Sequence, residues 1–419
     1  MKTITTLFLI ILLSVTVNAQ DVYVAGTDRS SGSEAKLWKN GFLESNLEPY
    51  PSLASSVFVS NGNVYNGGNV SFLGEESRAT LWVNSTPQYY TNGDYSASIS
   101  DVFVSGNDIY AIGYHRTGNN NNAVATLWVN GIEQALTNGN TNASALSVFV
   151  SGGDVYVVGY ENNGAKDVAK LWKNGAEQIL TDGSDNAKAT SVLVDGGDIY
   201  ITGYEETTPG NNYAILWKNG VAQYLTDGLT YATALDVDLY VGFPLVVGGK
   251  HDGTNVVPTY WLDGSEFQVS NISNWGLILS VHIASPAYDN KVYMAGYESN
   301  GTSNVGKLWS SGGNPGWHTQ ILTTNGDASS VFIDDGTLSV EAPKTLPDFL
   351  TVYPNPVQSQ LHIKTSKPCV LQLYNLQGQL LNAIEVTNQH ETIDMTNLSS
   401  GLYLLKDIDT GYTQKIIKE

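Results

Sequence analysis

Asp236 and Asp238 stand two residues apart in "DVDL" 236–239. On an extended strand such a pair shares one face. Two carboxylates facing one space could hold a cation, or serve as acid and base. A solvent-facing irregularity is the plainer reading, because the following "YVGFPLVVGG" also departs from pattern. Asp236 and Asp238 are therefore the candidate metal residues. Six histidines accompany them, at 115, 251, 282, 318, 362 and 390. His282 lies where it could face a central space. No H-E-x-x-H, G-x-S-x-G or C-x-x-C occurs, and the acidic pieces lack the spacing of a calcium-hand loop. The sequence names no reaction and no catalytic residue. No cofactor is implied, although a structural calcium ion would suit the acidic loops.

A second set of residues suits recognition. Tyr114, His115, Tyr160, Tyr204 and Tyr297 recur after similar "Y-x-x-G" segments. Aromatic rings can stack on a sugar, and neighbouring Asn or Asp can bond its hydroxyls. These five are the candidate ligand-binding residues.

What positions them is a repeat. "VYVAG" 22–26 returns as "VYNGG" 64–68, "IYAIG" 109–113, "VYVVG" 155–159, "IYITG" 199–203, "LVVG" 245–248 and "VYMAG" 292–296. Trp38, Trp82, Trp128, Trp172, Trp217, Trp261 and Trp309 form a parallel series. "SVFV" 56–59 has counterparts at 101, 147, 191, 236, 280 and 330. The period is about 45 residues, the length of one four-stranded propeller blade. Asn-Gly in "LWKNG" predicts a tight hairpin turn. The tryptophans are expected between neighbouring blades, as packing rather than as ligand platforms.

The expected fold is all-β: a seven-bladed β-propeller over 21–336, then a small immunoglobulin-like sandwich. The repeats open on a second strand and end on an innermost one. Circular closure follows, with "SVFI" 330–333 beside "VYVAG" 22–26, leaving no free edge. One face is expected to carry short turns. The other carries long polar loops at 113–125, 159–169, 203–214, 249–260 and 296–306, the expected ligand face.

The gross numbers agree. Gly is 42 of 419 residues and Tyr 24, as strands and turns require. A single Cys, Cys369, excludes an internal disulfide framework. A net charge of −20 repels nucleic acid and anionic lipid. Residues 1–20 pair Lys2 with an apolar run and a small-residue site, as a secretory signal peptide does. Residues 337–347 read as a linker.

Residues 348–419 change pattern, with alternation at "LHIKT", "VLQLYN", "ETIDM", "LYLLKD" and "TQKIIK". Tyr353-Pro354-Asn355-Pro356, "LYNLQGQ" 373–379 with Gly378, "LSSGLYLLK" 398–406 with Gly401 and Tyr403, and "QKIIKE" 414–419 with Lys415 and Lys418 resemble the type A sorting domain of the type IX secretion system of Bacteroidota. The resemblance implies recognition by the outer-membrane translocon, passage through the periplasm, and release or display at the cell surface. It says nothing of the cargo's task. Three roles remain: a monomeric binding protein for an extracellular glycan or surface protein, a scaffold without a small ligand, and a polysaccharide hydrolase or lyase.

Deleting 347–419 in a host that carries the type IX system should strand the protein in the periplasm. Cell fractionation reads this directly; full-length levels in the medium would contradict it.

Overall fold

The computed structural model describes residues 20–117, 121–270, 274–313, 316–335, 350–375, 380–387, 390–407 and 413–419. The expected signal peptide (apart from Gln20), the linker 337–347 and Gly378 lie outside the described residues. The chain forms two compact units whose boundary falls within 336–349.

Among the described residues, the first unit holds seven four-stranded antiparallel sheets. Six are consecutive in sequence. The remaining one, counted here as the first, joins Gly326–Asp334 to Asp21–Asp28, then Glu34–Lys39 and Phe42–Asn46. Its register pairs Val22 with Ile333 and Val24 with Val331. The innermost strands of the second to seventh sheets are Ser52–Ser60, Ala97–Ser105, Ala143–Ser151, Ala187–Asp195, Ala232–Tyr240 and Gly276–Ile283. Each packs beside the next, and Gly326–Asp334 packs beside both Gly276–Ile283 and Ser52–Ser60. The sheets thus form a closed, propeller-like ring.

The pentapeptide "LWKNG" shows how sequence makes a sheet. Its Trp enters the seam to the preceding sheet: Trp217 packs with Ala169 and Leu171, Trp172 with Ala125 and Leu127, and Trp38 with Ala295 and Leu308. Six of the seven indoles are below 2% exposed and Trp38 is 3% exposed. Truncating such a side chain typically costs about 3–5 kcal/mol. The Lys pairs with the Asp that opens the second strand, at 2.8 Å for Lys39–Asp21, 2.7 Å for Lys173–Asp154 and 2.8 Å for Lys218–Asp198. Asn and Gly both take positive φ, 50° and 79° at Asn174-Gly175, as a type I′ turn requires. The same Asn Oδ1 accepts the N–H of Val155 at 2.8 Å, tying turn to second strand.

The innermost strands carry a β-bulge just before the "SVFV" position, for example between Ala54 and Ser56 and between Ile99 and Asp101. The bulge drives a carbonyl toward the second strand. At Gly113 an added Cβ would lie 1.9 Å from the Ser98 carbonyl oxygen, and at Gly159 2.0 Å from that of Ser144. The final glycine of "VYVxG" is therefore a steric necessity. The bulge also turns the following Ser or Asp toward the neighbouring sheet. Ser330 accepts the Val57 N–H at 3.2 Å and Ser56 accepts that of Val102 at 3.2 Å. Asp101 accepts from Val148 at 3.0 Å and Ser147 from Val192 at 3.3 Å. Asp236 accepts from Val281 at 2.9 Å, and Ser280 from Val331 at 3.2 Å. At the remaining seam the Ser191 hydroxyl donates to Asp236 at 2.7 Å. A ring of latches thus joins every sheet to the next.

Two expectations are corrected here. The long polar loops are mostly strand. Asp108–Thr117 leads to Asn122–Val129, Asp154–Asn162 to Asp167–Lys173, and Asp198–Thr208 to Asn211–Lys218. Alternating side chains with cross-strand partners extend these hairpins, so the two faces differ less than expected. Second, Asp236 and Asp238 are half-buried and held in the repeat's own pattern, not a local irregularity of the surface. They lie at the ring axis on backbone donors, and Asp101 occupies the position equivalent to Asp236.

The second unit has a three-stranded sheet, Leu350–Tyr353, Gln360–Thr365 and His390–Asp394, and a four-stranded sheet, Leu380–Val386, Cys369–Asn375, Gly401–Asp407 and Thr413–Lys418. Both contribute to one core that includes Leu361, Ile363, Leu371, Leu405, Ile416 and the buried Cys369 thiol. Asn355 donates to the Lys415 carbonyl at 2.7 Å and accepts the Ile417 N–H at 2.8 Å. The Tyr-Pro-Asn-Pro turn is thereby pinned to the final strand. Tyr403 donates its hydroxyl to the Ser399 carbonyl at 2.7 Å. Lys418 is 9% exposed.

Asp101→Ala should destabilise the protein by about 1–3 kcal/mol, because it leaves the Val148 N–H without its acceptor. Asp101→Ser, the residue of five sister strands, should recover most of the loss. Denaturant titration distinguishes them, and equal stabilities for the two variants would contradict the latch.

Candidate functional site

Along the axis, the residue two beyond each latch forms the next layer: Phe58, Phe103, Phe149, Leu193, Asp238, His282 and Phe332 line a cavity of about 270 Å³. The alternation of a strand puts latch and lining on the same face. Four phenyl rings run in contact, with centroids 4.7 Å apart for Phe332–Phe58, 4.9 Å for Phe58–Phe103 and 4.9 Å for Phe103–Phe149. His282 continues the arc, 4.7 Å from Phe332. Asp238 accepts the N–H of Leu239 at 2.7 Å and of Ile283 at 2.8 Å.

Burial dominates the titration of this layer. It pushes Asp236 up to about 6, against bonds from Ser191, Val281 and Val237. It pushes Asp238 up to about 6, against the Leu239 and Ile283 N–H groups. It raises Asp101 too. It pulls His282 down to about 4, although the Asp335 and Asp236 carboxylates act in the opposite direction. Among the described residues, no group of three or more His, Cys, Asp or Glu could hold a metal ion.

The candidate tyrosines do not form one platform. Each sits after the bulge, half-buried. Tyr114 lies 3.5 Å from the Ser96 hydroxyl. Tyr297 meets Trp275 edge-on at 5.3 Å, and burial first, then Tyr231 and Asp327, pushes it up to about 12. His115 is engaged by Glu133 at 3.0 Å. Only Tyr160 and Tyr204 come together, through Lys188. Its ammonium lies 3.8 Å from the Tyr160 ring centroid and 3.3 Å from Asp167. Burial works against that ammonium, yet Tyr160, Tyr204 and Asp167 hold its pKa above the ordinary value.

This cluster lies at the seam of the fourth and fifth sheets. The same seam opens outward into a groove of about 510 Å³. Its wall comprises Asp182, Ser184, Asp185, Glu205, Thr207, Tyr213 and Tyr224. The Tyr213 and Tyr224 rings meet at 4.6 Å, and Tyr224 is 57% exposed. In the second sheet the comparable pair, Phe72 and Tyr89, is covered by the Arg78 guanidinium. Among the described residues no cation covers Tyr213 or Tyr224. Burial, then Asp182 and Asp185, raise the pKa of Glu205. The segment 203–214, expected on the ligand face, supplies Glu205, Thr207 and Tyr213 to this groove, but sequence reading missed Tyr224, which lies outside the repeated tyrosine series. The outward "AQY" 222–224 in place of "EQI" 177–179 was the available signal.

The secretion system C-terminal sorting domain family matches residues 351–419. The C-terminal unit is a type IX sorting domain. It implies interaction with the type IX machinery and export across the periplasm, to the cell surface or beyond. No curated protein sequence matches the chain. Among solved structures it is similar to TolB from Acinetobacter baumannii, at 12% identity and TM-score 0.38, covering 59% of this chain and 62% of that one. It is similar to a Mycobacterium tuberculosis puromycin-hydrolyzing peptidase, at 11% and 0.44, covering 82% and 57%. It is also similar to a Clostridium thermocellum α-L-arabinofuranosidase, at 15% and 0.30, covering 53% and 94%. The chain spans less than two thirds of the first two proteins' length, and these scores reflect loose architectural likeness.

The axial groups predict opposite pH trends. A raised carboxyl pKa stabilises the fold at low pH, and this contribution is lost as pH rises through about 6. A lowered imidazole pKa stabilises above the unfolded value near 6.5, and is lost as pH falls toward about 4. Relative to the native protein, Asp238→Asn should lose stability from pH 8 to pH 5, by about 1.4 kcal/mol. His282→Phe should gain from pH 6.5 to pH 4. Melting curves across pH test both signs, and parallel profiles would refute the assignment.

Proposed function

We propose that the first unit is a seven-bladed β-propeller that acts as an extracellular binding module for glycans, delivered by the type IX domain, whose two sheets form an immunoglobulin-like sandwich. The observation that carries this reading is the open Tyr213–Tyr224 pair beside acceptors in one groove. A sugar presents an apolar face and a rim of hydroxyls. An uncovered aromatic ring takes the first, and carboxylates and hydroxyls take the second. Glu205 and Asp185 supply acceptors, and Tyr224 supplies the exposed ring. The axial carboxylates support binding over catalysis, because Asp101 and Asp236 already hold neighbouring sheets together. The rigid ring fixes the groove without needing ligand to order it.

One observation favours a hydrolytic reading as the alternative. Burial, then Asp182 and Asp185, raise the pKa of Glu205, the direction that the general acid of a carboxylate pair requires. A glycan that binds should therefore also be tested for cleavage.

A glycan array probed with the mature chain, with calcium and with a chelator, tests the proposal. Signal on a defined glycan set should fall at least about tenfold in Tyr224→Ala, the loss of about 1.4 kcal/mol or more. No signal, or signal indifferent to Tyr224, would contradict it. Loss of signal in the chelator arm would assign calcium a role. New reducing ends on a bound glycan would move the protein to the hydrolases.

A further inference from the structure

The axial layer departs from its own repeat. Five of its seven positions are Phe or Leu, and the two exceptions, Asp238 and His282, are adjacent in the ring. The fold does not require them, since the sister sheets close around the axis with apolar side chains. Asp238 uses one lone pair on each oxygen for a backbone N–H. A carboxylate offers about four acceptor sites, so it retains capacity toward the cavity. His282 is half-buried and lines the cavity, and among the described residues neither of its ring nitrogens has a hydrogen-bond partner. The imidazole therefore has a nitrogen free to accept from a molecule in the cavity.

The surroundings select the partner's chemistry. Among the described residues no Lys or Arg lines the cavity, while Asp101, Asp236 and Asp238 do. With a net charge of −20 on the chain, the cavity attracts cations and repels anions. The phenyl arc presents apolar area and ring faces, which favour a cation with an apolar body. A free sugar fits less well, because the serine hydroxyls nearby are engaged in the latches. We infer that the axial cavity is a second binding site, distinct from the groove, that takes a small organic cation: an ammonium group toward Asp238 and His282, with an apolar stem against the phenyl arc. The neutral imidazole accepts one ammonium N–H and the carboxylate another. This site does not depend on the glycan reading.

Calorimetric titration of the mature chain with phenethylammonium tests the site, with 2-phenylethanol and phenylacetate as neutral and anionic counterparts. Phenethylammonium should bind at least about tenfold more tightly than 2-phenylethanol, and phenylacetate should not bind. Asp238→Asn keeps an acceptor for Ile283 and removes the charge, so it should abolish the preference for the ammonium. His282→Phe installs the residue of four sister strands and should weaken ammonium binding while leaving cooperative melting intact. Equal affinity for amine and alcohol, no amine binding at millimolar concentration, or an undiminished preference in Asp238→Asn would overturn the proposal. If Asp238→Asn fails to melt cooperatively, the ligand series on the native chain still decides between cation selectivity and none.

Discussion

A closed ring of sheets leaves one strand edge of every sheet facing the axis, where no further strand can pair with it. The backbone N–H groups on that edge must find acceptors or forfeit their hydrogen bonds. Here the acceptor is a short side chain from the adjacent sheet, a serine hydroxyl or an aspartate carboxylate, aimed by a β-bulge. The rest of the first unit follows from this constraint. The bulge displaces a carbonyl, the carbonyl excludes a Cβ, and glycine appears on the second strand in every sheet. The latch draws the sheets together, and the tryptophans fill the seams farther out. Closure by Gly326–Asp334 lets the last latch, from Ser330 to Val57, complete the circle.

Much of this was legible in the sequence because it is repeated. The period, the tryptophan series, the Asn-Gly turns and the closing strand can each be read from residue type and spacing. The latch was not, although Ser56, Asp101, Ser147 and their counterparts stand in plain alignment. Serine before Val-x-Val reads as an ordinary strand residue, and its acceptor role depends on a bulge that spacing does not reveal. Asp236 was misread for that reason, and its equivalence to Asp101 was the missed clue. The polar loops were misread because Asn, Gly and Thr signal turns, whereas cross-strand pairing carried the hairpins outward. Asn66 shows the opposite limit. It is fully buried where sister strands carry apolar residues, its amide has no hydrogen-bond partner among the described residues, and nothing in the structure explains it.

Binding is most informative where the repeat is broken. Tyr213 and Tyr224 form an aromatic pair that no cation covers among the described residues. Asp238 and His282 interrupt an otherwise apolar layer. A scaffold held by seven similar seams can tolerate such departures, because each seam carries only part of the stability. The C-terminal unit has a separate core and a separate task, that of delivery.

Residue-resolved amide exchange on the protein tests the latch ring most directly. The N–H groups of Val57, Val102, Val148, Val192, Val281 and Val331 face an axis rather than a partner strand. They should nevertheless exchange as slowly as the central-strand amides paired within the sheets. Exchange of these six at the rate of the exposed turn amides, such as Gly175, would show that the sheets are held by the outer seams alone and would contradict this account.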